Sequence, residues 1–117
     1  MRHHKNVRKF GRTKNQRNAL LKTLATSLIS KGKIRTTAAK AKELRPFVEK
    51  LVTLAKNANI ASRRVIISRI GDNLAAKKLY LEIGKEYTGR SGGYTRVIKL
   101  PNRKKDASPM SVIEFVK

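Results

Sequence analysis

The amino-acid sequence predicts an α+β fold of two layers, in which helices cover one small sheet. The hydrophobic periodicity changes along the chain in the order helix, strand, three helices, two strands. A length of 117 residues suits one compact domain, and no internal repeat indicates a second. We therefore expect a basic N-terminal arm over residues 1–17, which overlaps a single α+β domain over residues 14–117.

The first predicted helix runs from about Lys14 to Ser30. Thr13 and Gln16 have the spacing of a capping box at its start. Gly32 is a typical residue to end it, because glycine tolerates the left-handed conformation. Its apolar stripe is expected to comprise Leu20, Leu21, Leu24 and Leu28, with Lys22 and Ile29 pointing elsewhere. The β-branched residues 34–37 then predict a strand that leads straight into the next helix.

The longest amphipathic pattern covers residues 36–56, and the other elements are expected to pack around it. Thr37 can cap its start. Its apolar stripe comprises Leu44, Phe47, Val48, Leu51, Leu54 and Ala55, extended by Ala58. Its opposite, polar side comprises Lys42, Arg45, Glu49 and Lys56. Pro46 inside the helix costs about 3 kcal/mol, whereas burial of each large apolar side chain contributes about 1.5–3 kcal/mol. Packing therefore outweighs the proline, and we predict one helix that is kinked near Pro46.

Two further helices follow. Asn59 can cap a third helix over residues 60–70, which Gly71 ends, and Asp72 can cap a fourth over residues 73–87. In the third helix the residues expected inside are Ile60, Ile66, Ile67 and Ile70, with Arg63 and Arg64 outside. In the fourth helix Leu79, Ile83 and Tyr87 share a face, and Gly84 weakens the helix by about 1 kcal/mol relative to alanine.

The C-terminal part is predicted to form an antiparallel pair of strands. A glycine-rich loop over residues 88–93 precedes a strand over residues 94–100. A second strand covers residues 110–116, with Ile113 and Phe115 on one face and Val112 and Val116 on the other. The connection over residues 101–109 is basic and bounded by prolines, which cannot continue a ladder.

The charge of the chain is its strongest functional signal. It contains 29 Lys and Arg against 7 Asp and Glu, a formal net charge of +22. Such an excess destabilises the folded state by self-repulsion unless an anionic partner neutralises it. Nucleic acid is the usual partner, and a bilayer surface or an acidic protein is the alternative. Solubility alone needs a net charge of only about 2–8.

Other classes of function are disfavoured by the composition. The chain has no cysteine, which fits a reducing compartment and excludes thiolate zinc sites and a cysteine nucleophile. It has no apolar run of the roughly 20 residues that span a membrane and no secretory signal. His3 and His4 lack further ligands to complete a metal site, and the carboxylates are scattered. We therefore expect no enzyme, no metal or other cofactor, no membrane and no small-molecule substrate, and a cytoplasmic location.

The basic residues are spread over several elements, which favours shape- and phosphate-based recognition of a folded RNA. The residues expected to contact RNA are Arg2, His3, His4, Lys5, Arg8, Lys9, Arg12, Lys14, Arg17, Lys40, Lys42, Arg45, Arg63, Arg64, Arg90, Arg96, Arg103, Lys104 and Lys105. An architectural DNA- or RNA-binding protein is the alternative. A recognition helix or a symmetric dimer face would favour DNA, and neither is evident. An enzyme acting on nucleic acid would need a convergent acid, base or metal site.

Several segments together resemble the family of protein seventeen of the bacterial large ribosomal subunit, which also occurs in mitochondria. They are MRH at residues 1–3, GRT at 11–13, LATSL at 24–28, IRTT at 34–37, AKAKELRP at 39–46, EKL at 49–51 and GGYTR at 92–96. The resemblance covers nearly the whole chain. Gln16 and His4 differ from the residues that many members carry.

The resemblance implies a structural, non-catalytic protein that binds 23S ribosomal RNA in the large subunit. It also implies a position near the exit of the nascent-chain tunnel, beside other large-subunit proteins. By the same implication, residues 2–17, 40–45 and 90–96 are the main RNA contacts.

Overall fold

A computed structural model of the protein describes residues 13–57 and 59–117, so most of the basic arm lies outside the described residues. The predicted α+β class is confirmed. The elements are α1 (Lys14–Lys31), β1 (Lys33–Thr37), α2 (Ala38–Lys56), α3 (Ile60–Ile70), α4, β2 (Thr95–Leu100) and β3 (Met110–Phe115). Helix α4 begins as Asn73–Lys78, widens into a π-helical segment over Leu79–Ile83 and ends with Gly84–Glu86.

The predicted caps set the helix boundaries. The Thr13 hydroxyl accepts a hydrogen bond from the Gln16 amide at 3.2 Å, and the Gln16 side chain accepts one from the Thr13 amide in return. Thr37 accepts from the Lys40 amide at 3.3 Å at the start of α2. Gly32 ends α1 in the left-handed region, with φ 82°, where other residues are strained. The α2 assignment runs through Pro46; the kink there remains a prediction.

The sheet has three antiparallel strands in the order β1-β3-β2. The expected pairing of the last two strands is confirmed, and β1 adds to the free side of β3. In the middle of the sheet Ile113 lies opposite both Ile34 and Val97, and all three face the helices. The neighbouring row, which comprises Arg35, Val112 and Ile98, therefore points to the opposite, outer face.

The hydrophobic core lies between the helices and the inner face of the sheet. Its most buried members include Leu28, Ile29, Leu44, Val48, Leu51, Val52, Ile66, Leu79, Tyr94 and Ile113. The prediction for Ile29 was wrong, because the C-terminal part of α1 packs against several elements and buries a wide arc. The prediction for Ile60 was also wrong: it is the first residue of α3 and is 70 % exposed.

Gly84 marks the closest approach between α2 and α4. A Cβ atom at this position would lie 2.6 Å from the Ala55 carbonyl oxygen, which is far inside contact distance. The sequence predicts only that glycine weakens the helix at this position. The structure adds that any side chain there would push the two helices apart.

Candidate nucleic-acid interface

The predicted RNA contacts divide into those inside and those outside the described residues. The ones outside are Arg2, His3, His4, Lys5, Arg8, Lys9 and Arg12. The ones inside are Lys14, Arg17, Lys40, Lys42, Arg45, Arg63, Arg64, Arg90, Arg96, Arg103, Lys104 and Lys105. All of these side chains are exposed except Arg17 and Lys40, which are half-buried.

The described contacts are not gathered in one cavity, because several of them belong to opposite ends of α2. At its N-terminal end the Ala38 amide donates to the Pro109 carbonyl at 3.0 Å, so this end adjoins the basic 101–109 connection. At its C-terminal end Lys56 contacts the loop that contains Arg90. Nineteen residues of α-helix span about 28 Å. A partner that engages both ends must therefore span about 28 Å of the surface.

The helix N-termini carry basic rather than acidic residues. None of the helices α1, α2 and α3 has an acidic residue in its first turn, where the unpaired amides already produce a positive potential. Lys14, Lys40 and Arg63 lie within or next to these first turns and add to that potential. This arrangement is unfavourable in the isolated protein and favourable beside phosphate groups.

The loop between α4 and β2 is held in place by side chains from α2. Lys56 donates hydrogen bonds to the Arg90 carbonyl and, at 3.1 Å, to the Tyr94 hydroxyl, and its ammonium lies 5.3 Å from the Tyr94 ring centroid. The ring centroids of Tyr87 and Tyr94, which flank the loop, lie 5.2 Å apart. Hydrogen bonding from Thr53 and then from Lys56 lowers the pKa of Tyr94. The loop is thus held by contacts within the protein itself.

Glu49 anchors the beginning of β2 in a similar way. Its carboxylate accepts from the Thr95 amide at 3.2 Å and from the Thr95 hydroxyl at 3.0 Å, and it lies 3.6 Å from the Arg45 guanidinium. Glu49 and Lys56 do lie on the predicted polar side of α2, but the C-terminal part of the chain covers this side in part. Both are half-buried and bind the C-terminal part of the chain, which a helical pattern alone does not indicate.

The Arg103 side chain binds within the turn that carries Lys104 and Lys105. Its guanidinium makes two hydrogen bonds to Asp106, at 3.0 and 3.1 Å, and this pairing is the main reason that the pKa of Asp106 is lowered to about 2. Arg103 thus shapes the connection, while the two lysines at its tip have no carboxylate within 4 Å in the described structure.

Other cations on the surface differ in how far they are neutralised. Arg96 lies 3.5 Å from Glu114 on the outer face of the sheet. The Arg63 guanidinium stacks over the Tyr80 ring at 4.8 Å, which leaves its charge uncompensated. Lys33 and Arg35, two residues apart in β1, join Arg96 on the outer face and were not predicted as contacts. Their i, i+2 spacing in a strand was the available signal.

The described part of the chain contains neither a cluster of metal-ligating side chains nor a helix suited to a membrane. No group of three or more histidine, cysteine, aspartate or glutamate side chains there could hold a metal ion. None of the helices within residues 13–57 and 59–117 combines the length and apolar character that a membrane crossing requires.

Comparison with known proteins identifies the family of this chain. The family model described as ribosomal protein L17 matches residues 20–116. The large ribosomal subunit protein bL17 of Hydrogenobaculum sp. (strain Y04AAS1) is 50 % identical over 117 residues, which cover 99 % of each chain. The bL17 proteins of Sulfurihydrogenibium sp. (strain YO3AOP1) and Persephonella marina are each 52 % identical, over 99 % of this chain and 97 % and 95 % of theirs. The chain therefore belongs to the ribosomal protein L17 family.

Proposed function

We propose that the protein is a structural constituent of the large ribosomal subunit that binds 23S ribosomal RNA through its basic N-terminal arm and its dispersed cations. Family membership supports a ribosomal role in translation in the cytoplasm and a structural, non-enzymatic one. The finer elements of the proposal are the RNA that is bound, the residues that bind it, and neighbouring proteins near the tunnel exit.

The observation that supports RNA binding most strongly is the placement of cations at both ends of α2. One group comprises Lys40, Lys42 and the 101–109 connection, and the other comprises the loop with Arg90. A straight duplex lying along α2 could reach both of these groups but would leave the outer face of the sheet, which carries Arg96, in solvent. A folded RNA that surrounds the domain can reach this face as well, and the net charge of +22 then no longer opposes folding.

Salt dependence tests the proposal. Contact with about 6–10 phosphates makes affinity fall by about 10³–10⁵ between 50 and 200 mM salt. Filter binding of the purified full chain to 23S ribosomal RNA should show this fall. Duplex DNA serves as the competitor and should displace the RNA poorly at moderate salt. Equal affinity for both nucleic acids would favour the architectural alternative, and a nearly salt-independent affinity would refute binding through phosphates.

The role of the arm is tested by a truncation that respects the helix cap. Removal of residues 2–12 leaves the Thr13–Gln16 capping box intact, whereas removal of all of residues 1–17 would delete it together with the first turn of α1. We expect the shorter truncation to retain the circular-dichroism spectrum and thermal transition of a folded domain. It should nevertheless be incorporated into large subunits less efficiently than the full chain when both are expressed together. Equal incorporation would remove the arm from the proposed interface.

A further inference from the structure

A groove between α1, α2 and α3 has no role in the interface described above. Its cavity has a volume of about 540 Å³, within the range of about 300–1,000 Å³ that is typical of small-ligand sites. Leu21, Pro46 and Phe47 supply its apolar surface. Phe47 is half-buried against the core, so one part of the ring is held in place while another part faces the groove.

Three cations from three different helices line the same groove: Lys22 of α1, Lys50 of α2 and Arg69 of α3. The acidic residue in the lining is Glu43, and one carboxylate cannot balance three positive charges. Like charges that line one groove repel one another unless an anion lies between them. None of the three is among the predicted RNA contacts.

The combination of a fixed aromatic ring and surrounding cations matches one class of ligand. Unstacked bases in RNA loops and bulges stack on aromatic side chains and on arginine guanidinium planes, while lysines contact the adjacent phosphates. A peptide side chain could cover Phe47, but it would leave the three cations without counter-charge. A regular duplex presents phosphates but no free base to reach the ring.

We propose that this groove binds one unstacked nucleotide of the bound RNA, with its base on Phe47 and its phosphates near Lys22, Lys50 and Arg69. The inference rests on the proposed function, because it adds a base-binding position to an otherwise phosphate-directed interface. It also assigns a role to the apolar surface beside Pro46, which the core does not use.

The absence of tryptophan from the chain permits a direct test. Phe47→Trp introduces a single tryptophan in the groove, whose emission can be excited apart from that of the three tyrosines. Addition of 23S ribosomal RNA should quench its emission by base stacking and reduce its access to acrylamide. Leu81→Trp is the matched control, because Leu81 is 46 % exposed and lies on α4, which carries none of the predicted RNA contacts. We expect weaker quenching there. Equal quenching at both positions, or an introduced tryptophan that acrylamide still reaches in the saturated Phe47→Trp complex, would overturn the proposal.

A second pair of variants separates stacking from charge. Phe47→Leu keeps an apolar side chain in the groove and should lower RNA affinity at least about fivefold with an unchanged salt slope. Lys50→Met should lower the salt slope by about 0.7–0.9. If Phe47→Leu binds as well as the wild type, the nucleotide site is refuted.

Failure of this inference is distinguishable from failure of the proposed function. A wild-type chain that does not bind 23S ribosomal RNA contradicts the proposed function itself. Normal wild-type binding with a solvent-accessible tryptophan at position 47 contradicts only the groove. A blue shift without quenching that appears only in assembled subunits would assign the groove to a protein neighbour and would also overturn the nucleotide site.

Discussion

Gly84→Ala tests how closely α2 and α4 pack. Two effects oppose each other. In an exposed helix the change would stabilise the fold by about 1 kcal/mol, because alanine has the higher helix propensity. Here the new Cβ atom would lie 2.6, 2.8 and 2.9 Å from the carbonyl oxygen, carbonyl carbon and Cβ of Ala55. Overpacking of this kind costs about 1–3 kcal/mol, and the upper value applies because a helix backbone cannot rotate away as a side chain can. The expected net loss is about 2 kcal/mol.

Urea unfolding followed by circular dichroism measures this loss. With a slope of about 2 kcal/mol per molar urea, the midpoint should fall by about 1 M. Gly89→Ala is the matched control, because no atom lies within 4 Å of its added Cβ and its φ is not positive. Its stability should stay within about 0.5 kcal/mol of the wild type. A Gly84→Ala midpoint at or above that of the wild type would refute the close approach of the two helices.

Three other variants test separate contacts. Lys56→Met should increase hydrogen exchange in residues 90–94 of the free protein, whereas Lys50→Met should not. Lys56→Met and Arg90→Ala can also be combined in a double-mutant cycle of RNA affinity. Additive losses of affinity would show that Lys56 does not act through the loop. The pKa of Asp106 is lowered to about 2 in the folded state, against about 3.9 in the unfolded chain, so its carboxylate stabilises the fold above about pH 3.9 and loses this effect as pH falls towards 2. Asp106→Asn should remove this stabilisation, and acid unfolding followed by circular dichroism should therefore begin at higher pH. An unchanged acid transition would contradict this. Ser111→Ala should leave stability unchanged or raise it by about 1 kcal/mol in thermal unfolding, because the buried hydroxyl has no hydrogen-bond partner in the described structure; a clear loss would indicate a partner.

The elements that could be predicted from the sequence are those with local causes. Thr13, Thr37, Asn59 and Asp72 each accept a backbone hydrogen bond at the predicted helix start, since capping depends on residues three positions apart. The end of α1 at Gly32 could be predicted in the same way, because only glycine adopts the left-handed conformation without cost. The exposure of most of the predicted contacts could be predicted for a different reason, since lysine and arginine side chains are rarely buried; Arg17 and Lys40 are the half-buried exceptions among those described.

The features that sequence reasoning missed depend on contacts between distant parts of the chain. Lys56 is 38 residues from Tyr94, and Glu49 is 46 residues from Thr95. A helical pattern assigns both to the polar side of α2 but gives no sign that a loop packs there. Gly84 was interpreted from helix propensity alone, because its contact with Ala55 exists only after α2 and α4 pack. The cations around the groove belong to three helices, so no single segment contains the pattern.

The basic segments at the two ends of α2 are held in place by contacts within the fold. The loop at residues 88–94 is held by Lys56 and by the contact between the tilted Tyr87 and Tyr94 rings, so little conformational entropy is lost when it binds a partner. The connection that carries Lys104 and Lys105 is similarly shaped by the Arg103–Asp106 pair. Both ends of α2 therefore present charge from positions that the fold itself defines.

Sedimentation tests RNA-bound assembly most directly. Cell extract that contains the tagged full-length chain is separated on a sucrose gradient at moderate salt, with and without ribonuclease digestion of the large-subunit RNA. We predict that the chain migrates with the large-subunit peak in proportion to 23S ribosomal RNA and is released by the digestion. Recovery of the undigested chain at the top of the gradient, or with small subunits only, would contradict an RNA-bound structural role.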